Sequence, residues 1–399
     1  MGTFSDEFWN VLEISGSQWP LTDPRRPTIP AETADAGSFL RAICARAALN
    51  FPTGAIVYLP PRLYVIGAAP GRRREFMAAF EGADLVTQQN VTLWFAPGAR
   101  LVIRGEAVVR IDGPLRAEPT WLFACEGQDV LADPGRGIPA ARRGRVVINS
   151  CTVTEVYPEW WGAIPSPDDT FNSLPTDDTD ALEDCIRSAH TLRVGTAGTL
   201  PTIPIVLRGT YLLRRELEIS GDGPKLANGL FDNSRALASN YSGVIFLGRQ
   251  QGGSQAQSAS RLKASTDFTP NGRAGDIETR LKTRALLRLD GLHASLIDGV
   301  TFSGGEAADP IASVCVQVTG NNARSTVFRG CSFVNARQIL VQVGDYIILN
   351  TSIPITSRSG RTLFPLRADV YGGWDLSGAI GNPSGAFPSQ DITSLATGC

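Results

Sequence analysis

From residue 286 onward, apolar and polar positions alternate in short runs broken by Gly, Asn or Asp, a pattern that predicts half-buried β-strands joined by tight turns. Leu296-Ile-Asp-Gly-Val-Thr-Phe-Ser-Gly304 is matched by Val327-Phe-Arg-Gly-Cys-Ser-Phe-Val-Asn335, 31 positions on. Val314-Cys-Val-Gln-Val-Thr-Gly320 is matched by Ile339-Leu-Val-Gln-Val-Gly-Asp345, 25 positions on, and Leu286-Leu-Arg-Leu-Asp-Gly291 is an earlier copy of that type. A period of this length predicts stacked units in which inward residues sit on their counterparts in the next unit. In the first half, Val91-Thr-Leu-Trp-Phe-Ala-Pro-Gly-Ala-Arg-Leu-Val-Ile103 predicts strands around a Pro-Gly corner, and Gly113–Ala124 and Arg145–Asn149 predict more. Two stretches have helical spacing instead. Ala181, Leu182, Cys185, Ile186 and Ala189 form one apolar face behind Asp177, Asp178 and Thr179, which are suited to capping free backbone N–H groups. Asp35–Ala47 lines up with Asp177–Ala189, and Ile56–Ile66 with Ile205–Leu213, pairing Tyr64 with Tyr211, so two helix-plus-strand units open two halves of the chain.

The junction carries the most specific signal. Glu155-Val-Tyr-Pro-Glu-Trp-Trp-Gly-Ala163, then Thr176-Asp-Asp-Thr-Asp-Ala-Leu-Glu-Asp-Cys-Ile-Arg-Ser-Ala189, then Ile205-Val-Leu-Arg-Gly-Thr-Tyr-Leu-Leu213 together cover about 60 residues. This order resembles the entry segment of the pectate-lyase-like superfamily, where a "PEWWGA" turn precedes "DDTxAIxxAIxxA" and a strand ending in "GTYLL". The resemblance implies an all-β fold: a right-handed parallel β-helix with short capping helices and a smaller N-terminal β-rich domain. Independently of the resemblance, Trp160, Trp161, Asp177, Asp178 and Thr179 are suited to form a structural cap over a stack end whose apolar side chains and strand edges would otherwise be bare, with a binding role for the two tryptophans as the alternative. The expected organisation is an N-terminal domain over 1–154, a β-helix over 155–355 with an inserted loop at about 249–284, and an irregular cap or assembly segment over 356–399.

The chain has 399 residues, 43% hydrophobic, with 41 Gly and 26 Pro, enough for a large core and rich in turns. A formal net charge of −2 argues against a nucleic-acid partner or a general attraction to anionic membranes. No apolar run reaches the roughly 18 residues that span a bilayer. Seven cysteines without paired spacing suggest neither a disulfide framework nor a zinc site; Cys44, Cys185, Cys315 and Cys331 fall on apolar positions and are expected as buried thiols. The first residues lack a secretory pattern, whereas relatives of such a fold mostly act outside cells. The favoured expectation is synthesis in the cytoplasm and release within an extracellular particle.

Glycoside hydrolysis needs two carboxylates roughly 5–9.5 Å apart. The "NTD", "DD", "GHG" and "RIK" series of polygalacturonase-like relatives is not found on the predicted strands. The arginine base and calcium-binding aspartates of pectate lyases cannot be assembled, and "DPHE" is absent. The catalytic candidates are Glu306 and Asp309 in the loop Gly304–Pro310, and Asp290, which precedes a turn Gly. Asp298 and Asp345 complete the acidic set. His190 and His293 have no partner by spacing, and no metal ligand set or cofactor is expected. Arg249, Arg261, Arg273 and Arg280 of the expected 249–284 loop are candidates to meet a glycan or a partner subunit.

Three readings stand. The first is a non-catalytic β-helix protein, a structural or glycan-binding, tailspike-like component of a phage-like or contractile particle, with protein partners and a homotrimer as its natural assembly. The second is a polysaccharide hydrolase or lyase with an atypical site. The third is a cargo or effector of such a particle. Outward Trp and Arg side chains on neighbouring strands would favour glycan binding.

Overall fold

The computed structural model describes residues 7–14, 18–20, 22–67, 85–105, 107–126, 144–166, 177–189, 202–220, 243–249, 260–269, 285–290, 292, 295–307, 310–319, 326–336 and 339–343. The expectations for 356–399, His190, His293 and Asp345 lie outside them. Within this set the chain is mostly β, with two α-helices. It divides into two units, the first holding the described residues of 7–126, 144–163, 180–189 and 202–203, the second those of 164–166, 177–179 and from 204 on.

In the first unit, β1 (Phe8–Asn10) and α1 (Gly37–Asn50) precede three strand triplets. These are β2 (Ala55–Leu59), β3 (Leu63–Ile66) and β4 (Leu85–Thr87); β5 (Val91–Phe95), β6 (Arg100–Ile103) and β7 (Val108–Ile111); and β8 (Leu115–Arg116), β9 (Phe123–Cys125) and β10 (Arg145–Ile148). Each sheet takes one strand from every triplet, giving β1-β2-β5-β8, β3-β6-β9 and β10-β7-β4, all parallel. The alternation in sequence sets which side chains face in. Val57 lies opposite Leu93, Tyr64 opposite Leu101 and then Phe123, and Leu85 opposite Val109 and then Val146, all buried. Thr87 interrupts one such column opposite Ile111; its hydroxyl accepts from the Asp112 and Gly113 N–H groups at 3.1 and 3.4 Å, so its burial leaves no unsatisfied polar group.

Helix α1 buries Phe39, Leu40, Ile43, Cys44 and Ala47, one stripe at helical spacing. Asp35 Oδ1 accepts from Gly37 N at 2.9 Å where the helix begins. At its far end the Asn90 amide donates to the Ala48 and Phe51 carbonyls at 3.1 and 3.0 Å, satisfying acceptors that the helix itself leaves open.

The second unit repeats the scheme four times. Its triplets are β11 (Ile205–Leu207), β12 (Thr210–Arg215) and β13 (Leu217–Ser220); β14 (Ile245–Gly248), β15 (Ser260–Thr269) and β16 (Ala285–Asp290); β17 (Leu296–Asp298), β18 (Val300–Ser303) and β19 (Val314–Thr319); and β20 (Val327–Arg329), β21 (Ser332–Val334) and β22 (Ile339–Val343). The parallel sheets are β11-β14-β17-β20, β12-β15-β18-β21 and β13-β16-β19-β22. The sequence repeats are the registers: Leu296 pairs with Val327, Phe302 with Phe333, and Val314 with Ile339. Phe302 and Phe333 stack at 5.4 Å and 10°, and Phe328 meets Phe333 edge-on at 5.7 Å. Between the first two strands of the third and fourth triplets the turn centres on glycine. Gly299 and Gly330 take φ of 67° and 59°, and a Cβ at Gly248 would lie 2.1 Å from the Gly299 carbonyl oxygen.

Two expectations change. The segment 249–284 is not one loop, because β15 occupies its centre with Leu262, Ala264 and Phe268 buried. Its polar look comes from positions satisfied by pairing: Ser260 is buried and its hydroxyl donates to the Leu207 carbonyl at 2.6 Å. The boundary expected at 154/155 also shifts, since Glu155–Ala163 groups with the first unit. The cause is a direct strand-like bond there: Leu122 N donates to the Trp160 carbonyl at 2.9 Å.

Candidate functional site

The two tryptophans sit on a 3-10 turn, Pro158–Trp161, started by Pro158 and ended by Gly162 at φ 97°. Trp161 is fully buried, with its ring 5.2 Å from Phe123, and Phe123 lies 5.9 Å from Phe95. The Trp160 indole N–H donates to the Glu118 carbonyl at 3.1 Å. A Cβ on Gly162 would come within 2.9 Å of the Trp121 ring, so this turn needs glycine for two reasons. The aspartates that follow divide their work. Asp177 Oδ1 accepts from Thr179 N at 3.0 Å and from the Thr179 hydroxyl, at the start of α2 (Thr179–Ala189). Asp178 instead accepts from Ile164 N at 2.8 Å and Leu212 N at 2.9 Å, and the Thr179 hydroxyl accepts from Arg214 N at 3.2 Å. The apolar residues expected along α2 are buried, and so are Asp180, Glu183, Asp184 and Arg187, so the helix is enclosed on its polar side as well.

Glu306 follows β18 in a small hairpin. Gly305 and Pro310 form an antiparallel bridge, and Ile311 N and Ala312 N both donate to the Gly304 carbonyl at 2.8 Å. The Ser303 hydroxyl and the Asn335 amide hold the Gly305 carbonyl at 2.8 and 3.1 Å. Glu306 Oε1 lies 2.7 Å from Lys263 Nζ; the lysine side chain is 7% exposed and the glutamate 45%. The carboxylate is therefore a counterion of a nearly buried ammonium. Asp309 and the side chain of Asp290 lie outside the described residues, as do Arg273 and Arg280. Arg249 is exposed just after β14, and Arg261 is half-buried on β15 opposite Thr210. Ser260 Oγ also reaches the Arg249 carbonyl at 3.3 Å. Other acids of this unit are engaged: Asp298 with Arg329, and Glu216 with Arg288 at 2.8 Å, whose Nε also donates to Gln317 Oε1 at 2.8 Å.

A feature that residue-by-residue reading of the sequence left out lies on the outer face of β1-β2-β5-β8. Asn10, Tyr58, Trp94 and Arg116 stand in register on four successive strands. Phe8 joins them, 5.4 Å from Tyr58 and 5.8 Å from Trp94, and Tyr58 meets Trp94 at 5.2 Å and 69°. The Arg116 guanidinium carbon lies 4.2 Å from the centre of the Trp94 ring. The three rings are half-buried and Arg116 is exposed. The period-2 alternation of Ala-Ile-Val-Tyr-Leu and Val-Thr-Leu-Trp-Phe already places Tyr58 and Trp94 outward; their being neighbours follows only from register.

Cys44, Cys185, Cys315 and Cys331 are buried as free thiols, and Cys151 is exposed. Burial pushes Cys44 and Cys315 up to about 12 and Cys331 to about 11. A thiol raised in the folded state contributes stability that is complete below the ordinary value of 9.0 and is lost as pH rises toward 12. Urea midpoints are expected to fall between about pH 9 and 11, and to fall less in Cys44→Ala. Equal falls in both proteins would contradict this assignment.

Among the described residues, no three His, Cys, Asp or Glu side chains are grouped as metal ligands, and no helix is long and apolar enough to cross a membrane. Compared with known proteins, the chain matches no family model, no curated protein and no solved structure.

Proposed function

We propose that both units are right-handed parallel β-helices of the pectate-lyase-like kind, and that the chain is a non-catalytic component, structural or glycan-binding, of a phage-like or contractile particle. The observation that carries this reading is the strand order. Apart from β1, which pairs with β2, the neighbour of a strand within its sheet is three strands away in sequence in each unit, which is how a chain winding through three faces per turn is wired. The right hand follows from the general handedness of crossovers between parallel strands. The non-catalytic character is supported by the work of the visible acids. Glu306, Asp298 and Glu216 each neutralise a basic side chain, and Asp178 holds two backbone N–H groups. An assembly role is supported by general stack physics, since terminal strands expose unpaired edges that a partner chain can cover.

The test is sedimentation of the native protein from a clarified lysate of its source, with electron microscopy of the heavy fraction. Co-sedimentation with tail-like or other large particles is the expected result. A protein that stays light sinks the particle reading, and screening of polysaccharides for cleavage then tests the enzyme alternative.

A further inference from the structure

We propose that the outer face of β1-β2-β5-β8 binds an acidic saccharide chain, with a sugar carboxylate on the Arg116 guanidinium and apolar sugar faces against the rings of Tyr58 and Phe8. The inference rests on the glycan-binding form of the reading above and names its place and ligand chemistry.

The argument starts from the charge. Arg110, Arg288 and Arg329 each pair with a carboxylate, at Asp112, Glu216 and Asp298. Arg62 reaches the Pro30 carbonyl and Glu32, and Arg100, also stacked on a tryptophan, donates to the Trp121 carbonyl. Arg116 differs. It is exposed, and among the described residues its guanidinium pairs with no carboxylate; what fixes it is the Trp94 ring. A guanidinium held against an aromatic face loses little further freedom on binding a planar carboxylate. Trp94 is itself braced by Tyr58 and Phe8, so the cation is carried on a packed row rather than on a lone flexible side chain.

The aromatic row then selects among anions. Phe8 and Tyr58 lie at 31° to one another and stay half-exposed, an aromatic surface beside a fixed cation. Sugars present apolar C–H faces to such rings while their hydroxyls remain in water, and small inorganic anions do not use this surface. Strands repeat about every 4.8 Å, so the step from Tyr58 to Arg116 crosses two spacings, about 10 Å, which about two or three linked sugars span. The row also has a direction. At the β1 end the Asn10 amide donates to Glu13 Oε2 at 3.2 Å, which places a carboxylate there and favours the acidic group at the Arg116 end.

The experiment is calorimetric titration of the full chain with a tetrasaccharide carrying a carboxylate on each sugar, and with its neutral counterpart. The carboxylated chain is expected to bind at least about tenfold more tightly, and Arg116→Gln to abolish that preference, since a charge-assisted fork is worth about one decade or more. Arg116→Lys should recover part of it, as a point charge without a fork. Arg116 is exposed, so circular dichroism of these variants should match the parent. Equal affinity for both saccharides overturns the acidic selectivity while leaving glycan binding intact. Retained preference in Arg116→Gln removes the assignment to this residue. No binding of either saccharide overturns the inference as a whole, and sedimentation of the native protein still decides the particle reading separately.

Discussion

Replacing Asp178 with alanine is expected to destabilise the protein by about 3–5 kcal/mol, well beyond the effect of the same change at its neighbour Asp177. Asp178 is 1% exposed, and its two oxygens accept from Ile164 N at 2.8 Å and Leu212 N at 2.9 Å. Alanine would leave both backbone donors without their acceptor, at about 1–3 kcal/mol each, and would add a small cavity. Asparagine retains one acceptor and turns an N–H₂ toward the other donor, so Asp178→Asn should lie between alanine and the parent. At Asp177 the lost interactions are those of a helix start, worth about 0.5–2 kcal/mol. Urea unfolding followed by far-ultraviolet dichroism measures all three variants. If Asp177→Ala proved the more damaging, the division of labour between the two aspartates would be wrong.

Trp161→Ala should cost a similar amount, about 3–5 kcal/mol, from the first unit. The ring is fully buried and extends the column in which Phe95 meets Phe123 and Phe123 meets Trp161. Truncation would leave a cavity beside Phe123. Trp161→Phe keeps an aromatic contact at reduced volume and should cost about 1–2 kcal/mol. A loss below about 1 kcal/mol for the alanine variant would mean that the column is not closed by this residue.

Much of the strand content was legible because its cause is local. Period-2 alternation in Val91–Phe95 and Leu296–Ser303 is imposed by the pleat, and the spacing of the repeats reappears as the pairing of Leu296 with Val327 and Val314 with Ile339. The helices announced themselves through their apolar stripes and through aspartates before the first turn. What could not be read was any property set by a distant partner. Ser260–Thr269 looked like a loop because Ser260 and Lys263 are polar, yet both are buried, the one donating to Leu207 and the other paired with Glu306. For the same reason Glu306 looked like a free acid until its counterion was seen.

The sequence by itself determined the elements, their repeat and which residues face inward, because these depend on backbone periodicity and on burial of apolar side chains. Only the tertiary structure decided which strands became neighbours across intervening segments, and hence three outcomes. Tyr58, Trp94 and Arg116 share a row, Glu155–Ala163 belongs with the first unit, and Asp178 holds Ile164, and Leu212 of β12, rather than the helix beside it. Hydrogen bonds and ion pairs are satisfied by whatever partner folding brings within about 3 Å, and no local pattern along the chain encodes that distance.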